Sequence, residues 1–107
     1  MISTHVLDIS IGQPAQGVSV ILEKNSDGKW AQLAAEKTNG DGRIAFQAPA
    51  EEGLYRLQFA IAGYFKSRNT AAFFPEAAVT FQIADTKRKY HVPLLLSPFG
   101  YSTYRGS

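Results

Sequence analysis

A chain of 107 residues holds one domain around a single core, and 45% hydrophobic with 19% charged residues is ordinary globular composition. The absence of Cys excludes a disulfide scaffold, a thiolate nucleophile and any Cys-based zinc site. The net charge of +2 is scattered apart from Lys87-Arg88-Lys89, which argues against a nucleic-acid partner, and no apolar run approaches the ~20 residues of a membrane span.

The N-terminus alternates polar and apolar residues instead of showing the basic and apolar regions of a signal peptide. The expected compartment is therefore the cytoplasm, or the periplasm if a leader has been removed. Ser3 to Ile9 reads as a first strand and Val18 to Glu23 as a second, with Gly12 to Gly17 turning between them. Asn25-Ser26-Asp27-Gly28 is hairpin chemistry, because Asn, Asp and Gly tolerate positive φ, and Trp30 to Lys37 is the return strand. Asn39-Gly40-Asp41-Gly42 turns again into the short strand Arg43 to Phe46. Gly53 opens an alternating run from Leu54 to Ile61.

Gly63 to Asn69 breaks the period of two and is the place for one short helix, closed off by Pro75. Ala78 to Ile83 alternates with Val79, Phe81 and Ile83 on one face. In the last long strand, Lys89 to Leu96, both faces are apolar around Tyr90-His91-Val92-Pro93-Leu94-Leu95-Leu96. A sandwich strand buries only one face internally, so the second face calls for another cover, most simply a second subunit. Pro93 removes a ladder donor and suits an edge or irregular position. The pattern predicts an all-β domain over residues 1–107, an antiparallel sandwich or barrel with one short helix.

Acid–base chemistry near neutrality needs an imidazole, and the chain has two, His5 and His91, each inside a predicted strand. The ordinary role of a strand His is to be half-buried and hydrogen-bonded. The functional alternative for His91 follows from its face: with Tyr90, Val92, Leu94 and Leu96 turned to the core, His91 points outward under the second cover. Arg43 faces away from Ile44 and Phe46. It is either a solvated strand-end charge or a bidentate ligand for an oxygen-rich planar molecule. Asp8 follows His5 by three residues and lies on the opposite strand face, so a metal site gains no support. Neither a phosphate-binding Gly loop nor a serine elbow is present.

Three stretches carry a resemblance: Thr4-His5-Val6-Leu7-Asp8, Asp41-Gly42-Arg43, and Tyr90 through Ser107 with its final Tyr104-Arg105-Gly106-Ser107. Together with Gly63-Tyr64-Phe65 and Phe73-Phe74-Pro75-Glu76, they resemble the transthyretin-related 5-hydroxyisourate hydrolase family over essentially the whole chain. The C-terminal Tyr-Arg-Gly-Ser is the most specific part, since it separates the hydrolases from the hormone-carrying transthyretins.

The resemblance implies a transthyretin-like sandwich and a homotetramer, a dimer of dimers with sites where the dimers meet. It implies hydrolysis of 5-hydroxyisourate, opening the six-membered ring to give 2-oxo-4-hydroxy-4-carboxy-5-ureidoimidazoline in urate catabolism. No metal or organic cofactor, no nucleic acid and no membrane is implied. Carried onto this chain, His5 and His91 would hold and deprotonate water, and Arg43 would bind the substrate's oxygens. Tyr104 and Ser107 would line the pocket, the Ser107 hydroxyl or terminal carboxylate orienting substrate or a His, with Arg105 as scaffold of the tail.

Two other readings compete. A transthyretin-like carrier would share the sandwich but needs an apolar channel, in which two His and an Arg are costly. Residues 12–64 also resemble the carboxypeptidase-regulatory-like modules of surface proteins, through Pro14, Gly17-Val18-Ser19-Val20, Thr38, Asp41-Gly42 and Tyr55; the last eighteen residues argue against that reading.

Overall fold

The computed structural model describes residues 1–48 and 51–107. Among these residues nine strands and one helix follow in order: β1 (Ile2–Asp8), β2 (Gln13–Pro14), β3 (Ser19–Ser26), β4 (Lys29–Lys37), β5 (Arg43–Phe46), β6 (Gly53–Phe59), α1 (Ile61–Lys66), β7 (Ala77–Ile83), β8 (Tyr90–Ser97) and β9 (Gly100–Thr103). They form two sheets. One has the order β4-β3-β6-β7, and the other β2-β1-β8-β9 with β5 also paired to β1.

Alternation decides which side each strand buries. On β1, Ile2, Thr4, Val6 and Asp8 are buried, while Ser3, His5 and Leu7 face out and are half-exposed. On β8, Tyr90, Val92, Leu94 and Leu96 join the core. The facing sheet contributes Val20 and Leu22 from β3, Tyr55, Leu57 and Phe59 from β6, and Ala77 and Ile83 from β7. The Asn25–Gly28 hairpin forms as its sequence dictates, with Asp27 and Gly28 at φ 52° and 81° and the Gly28 N–H donating to Asn25 Oδ1 at 3.1 Å.

Four features depart from the sequence expectation. Every strand pairing is antiparallel except β1 with β8, which is parallel from Ile2↔Tyr90 to Asp8↔Leu96. The chain passes through the whole opposite sheet between these two strands, which gives the long crossover that a parallel pair requires. The helix starts at Ile61, two residues before the predicted Gly63, and the strand before it stops at Phe59. The tail holds a strand of its own, β9, paired antiparallel to β8. Consequently β8 is an interior strand, and Pro93 lies where its outer ladder is interrupted. That ladder skips from Leu94↔Thr103 to a single bridge, His91↔Gly106, and the Pro93 carbonyl instead accepts the Thr103 hydroxyl at 2.7 Å.

The helix packs Ile61, Tyr64 and Phe65 inward, the i, i+3, i+4 face of a short helix. The Tyr64 hydroxyl donates to the buried Asp8 carboxylate at 2.8 Å, and the Ser10 N–H donates to the other Asp8 oxygen at 3.0 Å. Burial, then the Asp8 carboxylate, pushes the Tyr64 phenol up to about 12 from 10.0. The unfolded chain ionises this phenol first, so its contribution to stability is complete below pH 10 and is lost as pH rises towards about 12. Tyr64→Phe leaves a buried carboxylate short of a donor, and we expect a loss of about 1–3 kcal/mol. Urea titrations at about pH 9 and about pH 11 check this: the variant's deficit should be the larger at the lower pH.

Candidate active site

The turn before β5 places Arg43. Asn39 Oδ1 accepts the N–H groups of Asp41 (2.9 Å) and Arg43 (3.0 Å), and the Asn39 carbonyl accepts Gly42 N–H (2.9 Å). Gly42 has φ +73°, and its carbonyl accepts the Val6 N–H at 2.7 Å, so the turn is docked on β1. Any Cβ at Gly42 would drive into the Val6 carbonyl oxygen, which explains why the turn ends in glycine.

With the turn fixed, register sets the rest. Across β5, β1 and β8, one row reads Arg43↔His5↔Pro93 and the next Ala45↔Ser3↔His91. All six residues belong to the face turned away from the facing sheet, because their neighbours in sequence are the buried ones. His5 is therefore directly opposite Arg43 and diagonal to His91. Both imidazoles are half-buried, and Arg43 is exposed. The three side chains picked out from sequence are thus gathered on one patch by residues 38 and more positions apart.

Within that patch Ser3 Oγ lies 2.8 Å from His91 Nδ1. The His91 imidazole is held below its ordinary value of 6.5, first by burial and then by the nearby Arg43 cation, with His5 as the smallest contribution. It is consequently neutral at neutral pH and has a lone pair to offer a proton. Asp8, read as facing away from His5, does so and bonds Tyr64 in the core.

The tail runs along β8 and is tied down at two points. The Arg105 guanidinium sits 4.8 Å from the centre of the Tyr90 ring, a cation–π contact that fastens the tail to β8. The Tyr90 hydroxyl in turn donates to the Asp85 carbonyl at 2.9 Å. One residue on, the Gly106 N–H donates to the His91 carbonyl at 2.8 Å. Tyr104 and Ser107 are solvent-exposed, and Gly106 lies against the His91 ring. Pro93 is buried against this segment, so part of the cover required by the second apolar face of β8 comes from the chain itself.

Ser3 and Gly106 are the site residues that sequence reasoning passed over. The signal for Ser3 was its position two residues before His5, on the same strand face. For Gly106 it was a glycine standing inside the most specific tetrapeptide of the chain.

The outer face changes character along β1. Beyond the His and Arg patch comes Leu7 opposite Leu95, and the turn that follows β1 exposes Ile9 and Ile11 at 51% and 47%. The site therefore sits at the polar end of an apolar surface.

Comparison with known proteins matches this architecture over the full length. The family model described as HIUase/Transthyretin family covers residues 2–106. The 5-hydroxyisourate hydrolase of Salmonella dublin is 49% identical over 110 residues, spanning 100% of this chain and 81% of that protein. The structure of Klebsiella pneumoniae 5-hydroxyisourate hydrolase superposes with a TM-score of 0.87 at 41% identity, covering 99% of this chain and 98% of that one. Sea bream transthyretin in complex with thyroxine has a TM-score of 0.91 at 30% identity, covering 98% and 93%. By sequence over its whole length and by fold, the chain belongs to the HIUase/Transthyretin family.

Proposed function

We propose that the protein is a 5-hydroxyisourate hydrolase of urate catabolism, using His91, His5 and Arg43 on the outer face of β5, β1 and β8. The observation that carries this reading is the clustering of those three side chains around an imidazole kept neutral by burial and by Arg43. Water bound between the imidazoles adds to a ring carbonyl carbon, and its proton passes to a His nitrogen. Arg43 stabilises the negative charge that develops on the carbonyl oxygen. As the adduct collapses, the ring C–N bond breaks and the leaving nitrogen takes the proton back, giving an open ureido arm and a carboxylic acid that releases its proton to solvent. His5 lies where it can orient the water. The exposed Tyr104 and Ser107 are available to a planar substrate resting on this face, with Ser107 or its carboxylate orienting it.

The proposed assembly is a homotetramer, a dimer of dimers. Two unguarded strand edges support the dimer: β7 and β9 end their sheets and contain no charge and no Pro. They lie on the same side of the sandwich, since Phe74 beside β7 meets Tyr101 of β9 with ring centroids 5.4 Å apart. The apolar surface of Leu7, Leu95, Ile9 and Ile11 supports a second contact that would close over the site.

The likeness to a thyroxine-bound transthyretin favours one other reading, a carrier of aromatic ligands. Parallel titrations separate the two. A hydrolase consumes 5-hydroxyisourate above its spontaneous decay and binds iodinated phenoxy-phenols weakly. A carrier saturates with the phenols and leaves the decay unchanged.

A further inference from the structure

The His91 ring is held on both sides of its Cγ. Ser3 Oγ meets Nδ1 at 2.8 Å. On the other side, the Gly106 backbone abuts Cδ2: a Cβ at Gly106 would overlap that carbon and come within 3.2 Å of Pro93 Cγ. The remaining edge of the imidazole, Cε1 and Nε2, is the one left to meet a ligand.

The frame around these contacts is rigid. Thr4 Oγ1 donates to the Val92 carbonyl at 2.7 Å from the core side, which locks the register that sets Ser3 beside His91. Gly106 is held by its own N–H bond to the His91 carbonyl, with Arg105 anchored on the neighbouring Tyr90. The tail therefore reaches the imidazole through backbone, and its glycine is required by contact with the ring.

We propose that Ser3 and Gly106 are positioning residues for His91: Ser3 Oγ accepts Nδ1–H, Gly106 blocks the Cδ2 edge, and Nε2 is presented as the proton acceptor. The choice of tautomer rests on the hydrolase reading, because a base needs its lone pair on the nitrogen that the substrate can reach. Which ring nitrogen carries the proton is set by the hydrogen bond that the other one makes, and in water a free imidazole favours Nε2–H. Ser3 holds the opposite tautomer. The same logic governs ligating and catalytic histidines elsewhere, where loss of such an outer partner typically costs ~10–100-fold in activity.

The experiment combines a spectrum with kinetics. In long-range 1H–15N spectra of the full-length protein at neutral pH, His91 should show a protonated Nδ1 and a bare Nε2. Ser3→Ala should move the proton towards Nε2 and lower kcat about tenfold or more, with KM little changed. Ser3→Thr keeps the hydroxyl and should restore both the spectrum and the rate. Gly106→Ala, in the C-terminal segment outside the core, should lower kcat with the thermal midpoint retained. A wild-type ring protonated on Nε2, or wild-type kcat in Ser3→Ala, would overturn the assignment. The spectrum needs no substrate, so it decides the role of Ser3 even if 5-hydroxyisourate proves not to be turned over.

Discussion

His91→Asn is expected to fold as the wild type and to turn over 5-hydroxyisourate about a hundredfold more slowly or worse. The fold should survive because His91 is half-buried on the outer face, where its loss opens no space in the core formed by Tyr90, Val92 and Leu94. The carboxamide of Asn can still bond Ser3 Oγ, but it cannot take a proton from water. The general-base contribution then disappears while Arg43 and the β1 face remain. Steady-state rates beside a thermal melt make the check: a matched melt with turnover near wild type would remove His91 from the mechanism.

Arg43→Gln should cost about 10²–10³-fold in kcat/KM, the scale of losing a group that stabilises a developing oxyanion. The substitution also has a signature in the pH profile. The Arg43 charge helps to hold His91 below 6.5, because a cation nearby disfavours the imidazolium. Removing it raises the His91 pKa, so the acid limb of kcat/KM should move to higher pH. Burial is the larger cause and is untouched, so the limb should remain below the ordinary imidazole range. A loss of activity with an unmoved acid limb would place Arg43 in substrate binding alone.

Much of this site was legible in the sequence because strands write their faces into alternation. His91 against Tyr90 and Val92, and Arg43 against Ile44 and Phe46, could be assigned outward before any register was known, and the structure has them there. Long-range pairing was not legible. Nothing local in residues 2–8 or 90–97 encodes a parallel partnership, yet that pairing sets His5 diagonal to His91 and Ser3 opposite it.

The sequence pattern places the helix two residues late for a physical reason. Leu57, Phe59 and Ile61 continue a period of two, and this masks Ile61, Tyr64 and Phe65 as a helical face. Strand β9 had no periodicity to show, because it presents only polar or exposed positions and owes its existence to β8. The resemblance makes the tail the wall of a pocket, with Tyr104 and Ser107 lining it. In the chain itself its firmest tie to the chemistry is Gly106 beside His91, with Arg105 fastening the segment to Tyr90.

The carrier and module readings part from the hydrolase at the same place. A carrier has no need of a neutral imidazole beside a cation, and a decorating module has no need of a tail clamped on that imidazole. The family match over residues 2–106 removes the module reading, and the chemistry on the outer face distinguishes the remaining two.

The most direct measurement is the decay of freshly generated 5-hydroxyisourate, followed by absorbance with the protein far below the substrate concentration and the spontaneous rate subtracted. The hydrolase assignment predicts many turnovers per chain, a rate proportional to protein, and its loss in His91→Asn. Decay at the spontaneous rate with folded wild-type protein would contradict it.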